Sequence, residues 1–119
     1  MIIYDIIPVV KAAGESIMPY FWALQKADIA YKWANNEDPL TKADLLANTI
    51  LMNGLRDLGG KQILSEESSD QEFDWSKEVW IIDPIDGTRL FISGEDDFAI
   101  LVARWDGEKN GRNIMWSWW

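Results

Sequence analysis

The sequence predicts an α+β fold, two long helices packed on an antiparallel β-sheet. Two stretches of helical periodicity in the first half and three short apolar runs after residue 60 predict it. Ile3, Ile7, Val10, Gly14, Ile17 and Phe21 share one face at helical spacing, with Lys11 and Glu15 opposite, so a first helix is expected over about residues 3–23. Residues 27–40 contain the turn-forming run Asn35-Asn36-Glu37-Asp38-Pro39, preceded by a short strand around Tyr31 and Trp33. A second helix starts near Thr41, whose hydroxyl would cap an orphan amide while Asp44 sits in the positive first turn. Leu45, Leu46, Ile50, Leu51, Leu55 and Leu58 repeat along it, and Gly59-Gly60 ends it.

The strands follow. Gln62-Ile63-Leu64 is a short one, and a polar connector from Ser69 to Lys77 leads to Val79-Trp80-Ile81-Ile82, which reads as a strand buried on both faces. Phe98 to Ala103 is another. Residues 1–104 are expected to form one domain, read below as metal-binding from its acidic motifs and a family resemblance, and residues 105–119 an atypical Trp-rich tail with three tryptophans in its last four positions. The tail reads either as an anchor packed on the core or as an unrelated ending, not as a continuing strand and hairpin.

Composition narrows the chemistry. The 119 residues, 48% of them hydrophobic, suffice for one compact domain. No run of about 18 apolar residues spans a bilayer, and the N-terminus lacks the basic region and cleavage site of a secretory signal. A cytoplasmic location is expected, in keeping with zero cysteines. The absence of cysteine and histidine excludes thiolate chemistry, imidazole bases and His-ligated zinc. Any catalysis must therefore run on carboxylates, hydroxyls, lysines or bound metal. A net charge of −9, from 11 basic and 20 acidic residues, argues against a nucleic-acid polymer or an anionic membrane as partner. A phosphate ester would need bound cations to reverse the local field.

The segment Asp83-Pro84-Ile85-Asp86-Gly87-Thr88 carries the chemistry. A buried strand ends there in two carboxylates, Pro84 prevents it from simply continuing, Gly87 permits a tight turn and Thr88 adds a hydroxyl. Converging carboxylates at the end of a buried strand are costly unless neutralised, and a hard divalent cation would do so. The alternative is a strand-end turn whose aspartates cap backbone amides. Ligands at every second position, as in an EF-hand, are excluded by the spacing. Phosphatases with an aspartyl nucleophile also fit poorly, because a single residue separates their two aspartates. Glu66 and Glu67, after the short strand, are either a second carboxylate arm or an exposed acidic loop. Glu95-Asp96-Asp97 reads as a solvated turn.

Three segments together, Asp38 to Asp44, Leu64 to Ser68 and Trp80 to Thr88, resemble the inositol monophosphatase-like superfamily of magnesium-dependent, lithium-sensitive phosphatases. Leu64-Ser65-Glu66-Glu67 and the helix around Thr49 to Arg56 resemble its 3′(2′),5′-bisphosphate nucleotidases of the CysQ type. The resemblance covers roughly residues 3–104 and implies the N-terminal half of that fold. It implies Mg²⁺ ligation by Glu66, Asp83, the Ile85 carbonyl and Asp86, with catalytic roles for Asp44, Glu66 and Thr88. Substrate phosphate would meet Glu66, Ile85, Asp86, Gly87 and Thr88. The implied activity is hydrolysis of the 3′(2′)-phosphate of adenosine 3′,5′-bisphosphate or a related small ester, with inositol monophosphate hydrolysis as the alternative. The family's Trp-Asp motif in a second αβ layer has no counterpart here, since Trp105-Asp106 falls too early. A truncated fragment that binds metal weakly is therefore the reading of another class, and an uncovered apolar sheet face would favour homo-oligomers.

Overall fold

The computed structural model describes residues 5–26, 37–65, 72–95, 97–108 and 113–118, and for residues 37–41 the backbone alone. Helix α1 spans Ile6–Lys26. Its buried residues are Ile6, Val10, Ala13, Gly14, Ile17, Phe21 and Leu24, so the expected stripe holds at Val10, Gly14, Ile17 and Phe21, while Ile7 is 50% exposed with Ile6 buried in its stead and Ile3 lies outside the described residues. Helix α2 spans Glu37–Asp57, beginning before Thr41. Pro39 is tolerated there because the first-turn amides have no intrahelical partner. Thr41 thus lies within the helix rather than capping it, and Asp44 lies beyond the first turn. The strand expected at Tyr31 and Trp33 lies outside the described residues.

The buried row of α2 is Ala43, Ala47, Leu51 and Leu55, spaced by four. Leu45 and Leu46, expected inside, are 55% and 37% exposed. Alanine at the contact lets α2 lie close to its neighbours. The packing of the two helices is tight enough that a Cβ on Gly54 would fall 2.4 Å from a Val9 methyl. The close-fitting row outweighs the bulkier one because the gain from burial depends on contact made, not on side-chain size alone.

Four strands follow: β1 (Ile63–Ser65), β2 (Val79–Asp86), β3 (Ala99–Trp105) and β4 (Ile114–Trp118), with the short helix α3 (Thr88–Ser93) between β2 and β3. They form one sheet in the order β1-β2-β3-β4. The expected antiparallel pairing holds for β2, β3 and β4, while β1 lies parallel to β2, pairing Ile63 with Trp80 and Ser65 with Ile82. The segment from 66 to 78 is long enough to return the chain for a parallel pair, which needs about a dozen residues. β4 pairs antiparallel with β3, so the Trp-rich segment continues the sheet as a strand, contrary to the expectation that it would not. Its alternate residues Trp116 and Trp118 pack on the core.

The sheet has two unlike faces. Inward, Ile63, Trp80, Ile82, Ile100 and Val102 are buried beneath the helices. Trp80 stacks on Trp116 at 5.6 Å, and its Nε1 donates to Glu78 Oε1 at 2.8 Å. Glu78 also accepts from Arg104, Trp80's partner on β3, at 2.7 Å, tying the start of β2 to the end of β3. Trp118 lies on Gly14 of α1, where a Cβ would fall 2.1 Å from the indole. Outward, Leu64, Ile81, Leu101 and Ala103 are half-buried and Met115 is 67% exposed.

Candidate metal and phosphate site

Three steps along β2, from Asp83 to Asp86, match two along β3, from Leu101 to Ala99. The surplus residue makes a β-bulge at Pro84-Ile85, where a missing N–H costs no ladder bond. Pro84 therefore does not end the strand, as its chemistry alone suggested; it shapes an irregularity through which β2 runs to Asp86. In a regular strand, residues three apart point to opposite faces. Directly opposed residues share a face, and Leu101 and Ala99 share one. The bulge therefore turns Asp83 and Asp86 to the same, outer side of the sheet.

The two carboxylates differ in environment. Asp83 is half-buried with its Oδ1 atom inside the protein, whereas Asp86 is exposed. Ile85 between them is buried at 3% exposure. Gly87 then adopts φ +86°, a left-handed conformation that side chains resist, and a Cβ there would also press on Phe98 Cα at 3.2 Å. Thr88, exposed, opens α3, and the Phe91 N–H closes the turn on the Gly87 carbonyl at 3.0 Å.

On the helix side of this sheet end, the buried Ser65 at the end of β1 donates from Oγ to Asn48 Oδ1 on α2 at 2.6 Å. Asp44, half-buried, stands one turn before Asn48 on the same side of α2. Ser65 pairs with Ile82, the residue before Asp83. Helix α2, β1 and the acidic end of β2 thus meet at one corner. A hollow of about 380 Å³ opens there, lined by Leu64, Ser65, Ile81, Ile82 and Asp83. Glu66 and Glu67 follow Ser65 directly but lie outside the described residues. Among the described residues, no three acidic, His or Cys side chains come together to hold a metal.

Asn48 and Ser65 were not singled out from the sequence. The signal for Asn48 is a polar residue four positions after Asp44, beside the buried Ala47 and Leu51; Ser65 stood within the acidic motif, read only for its carboxylates. Asp106 Oδ1 accepts the Glu108 N–H at 2.9 Å, a turn bond. Asp74, away from this corner, has its carboxyl held below the ordinary range by hydrogen bonds from the Ser76 side chain and backbone.

The donors on β2 are all hard oxygens: two carboxylates and a main-chain carbonyl, beside a hydroxyl and turn amides. That set suits a divalent cation such as Mg²⁺ and offers nothing to soft metals. Mg²⁺ sites commonly use one or two carboxylates and leave positions for water and phosphate, so an outward-facing aspartate pair fits.

An α+β layer carrying an acidic strand end is the class to which fold and site point. The sequence profile of the inositol monophosphatase family matches residues 3–112, and the chain belongs to that family. It is 32% identical over 111 residues to the 3′(2′),5′-bisphosphate nucleotidase CysQ of Shigella flexneri, covering 90% of this chain and 44% of that protein. It is 43% identical over 72 residues to the 3′-phosphoadenosine 5′-phosphate phosphatase of Mycobacterium bovis, covering 58% and 27% respectively. The crystal structure of the extragenic suppressor protein suhB from Bartonella henselae superposes with a TM-score of 0.70 at 25% identity, over 97% of this chain and 43% of that one. The chain thus spans less than half the length of the relatives it matches. Among the described residues, no helix is long and apolar enough to cross a membrane.

Proposed function

We propose that this chain carries the metal and phosphate half of a Mg²⁺-dependent phosphomonoesterase acting on adenosine 3′,5′-bisphosphate or a similar small phosphate ester. The observation that carries the reading is the bulge at Pro84-Ile85, which turns Asp83 and Asp86 to one face. The names of the Shigella and Mycobacterium relatives support the choice of a nucleotide over inositol monophosphate. In this reading Asp83, Asp86, the Ile85 carbonyl and Glu66 hold the metal, all within residues 1–104. Bound Mg²⁺ lowers the pKa of a coordinated water and draws charge from the phosphoryl group. Asp44 and Thr88 orient the attacking water and take its proton, while the Gly87 and Thr88 amides steady the phosphate oxygens. Direct attack by water needs neither histidine nor a covalent intermediate, which suits a chain with neither His nor Cys.

The test is a phosphate-release panel comparing adenosine 3′,5′-bisphosphate with inositol monophosphate, with and without Mg²⁺ and Li⁺. Release that needs Mg²⁺ and falls by roughly 100-fold in Asp83→Asn, the scale of one preorganised electrostatic contact, supports the reading. A folded chain that releases nothing at any Mg²⁺ concentration sinks it. That outcome would favour a second reading, a non-catalytic chain that binds cations weakly.

A further inference from the structure

Gln25 lies in the last turns of α1, and its side-chain amide reaches two carbonyls. Nε2 donates to Phe21 O at 3.2 Å, within α1, and to Phe91 O at 3.3 Å, across to α3. Phe91 in turn donates its N–H to the Gly87 carbonyl at 3.0 Å. Two consecutive hydrogen bonds therefore join the end of α1 to the residue directly after Asp86.

The fit around this amide is close. A Cβ on Gly94, which caps the far end of α3 at φ +84°, would fall 2.2 Å from Gln25 Oε1. Phe21, Phe91 and Phe98 form a ring cluster beside it, with centroids 4.9 to 5.5 Å apart. A helix of six residues has too few internal bonds to hold its own direction. The ring cluster gives α3 an apolar footing but tolerates sliding and rotation. A directional hydrogen bond does not.

We infer that Gln25 is a positioning residue for the Asp86-Gly87-Thr88 turn: by holding the Phe91 carbonyl it sets the orientation of α3, and with it the direction of the Thr88 hydroxyl and the turn amides. This rests on the reading of that turn as the phosphate end of the site. Small misplacements of such groups carry large rate effects, and a shift of about 1 Å can cost on the order of 100-fold.

Gln25→Glu tests it, because the shape is kept while the carboxylate cannot donate to either carbonyl; Gln25→Leu removes donor and acceptor together. In both, amide hydrogen exchange at Phe91 should quicken at least about tenfold, with the amides of buried α2 residues such as Leu51 unchanged. In phosphate release, kcat should fall roughly tenfold or more with KM held within about twofold. Unchanged exchange at Phe91 in Gln25→Glu overturns the inference, as does quickened exchange with an unchanged kcat. Should Gln25→Leu fail to fold, Gln25→Glu alone decides. If the unaltered chain releases no phosphate, the functional reading fails by itself, and exchange at Phe91 still judges Gln25.

Discussion

The two faces of the sheet are built from similar residues and put to different ends. The inner face sets Trp80, Ile82, Ile100 and Val102 under two helices and leaves almost nothing exposed. The outer face carries Leu64, Ile81, Leu101, Ala103 and Met115 with no helix described over it, and at its end the aspartate pair. Alternation along β3 is apolar on both sides, the pattern of a strand meant to be covered twice. Burial is therefore concentrated on one side, and the aspartate pair lies on the other, more open side.

Substitutions test this contrast. The largest effect is expected from Trp80→Ala, which removes the largest fully buried side chain together with its stack on Trp116, and should cost about 3–5 kcal/mol in denaturant unfolding. A loss under about 1 kcal/mol would mean the inner face is not the core. Leu51→Ala should cost about 2–5 kcal/mol, whereas Leu45→Ala, on the exposed side of the same helix, should stay within about 0.5 kcal/mol. Equal costs would show that Leu45 is buried along with Leu51, as the leucine spacing suggested. Gly14→Ala should cost about 1–3 kcal/mol by displacing Trp118, and the indole fluorescence should shift with it.

On the open side, Met115→Lys should leave unfolding nearly unchanged while reducing concentration-dependent association in light scattering, since it charges the outermost strand. A wild-type chain that is monomeric at all concentrations would remove that expectation. The smallest effect concerns Ser76→Ala. Its hydroxyl helps hold the Asp74 carboxyl below the ordinary range, so the substitution should raise that titration toward the usual value, as read by NMR. Because the folded-state value is the lower one, the associated stability is present above the ordinary carboxylate range. It is lost as pH falls through the depressed value. Asp74 is exposed, so only the titration itself should move measurably.

Periodicity was enough to place α1, most of α2 and the β2 and β3 strands, because 3.6-residue and two-residue repeats are properties of the chain itself. It misjudged what depends on partners. Leu51 and Leu55 are buried as the periodicity indicated, but Leu45 and Leu46 lost the buried side to Ala43 and Ala47, since only the neighbouring elements determine which residues fit closely. The Trp-rich segment looked like an odd ending because a single edge strand has no local signature apart from the strand it pairs with. At the site, the sequence alone supplied the acids, the glycine turn and the lack of any competing imidazole or thiol. Which way Asp83 and Asp86 point was decided only by the ladder. Spacing by three sends side chains to opposite faces of a regular strand, and the extra residue at Pro84-Ile85, visible only against β3, brings them back to one.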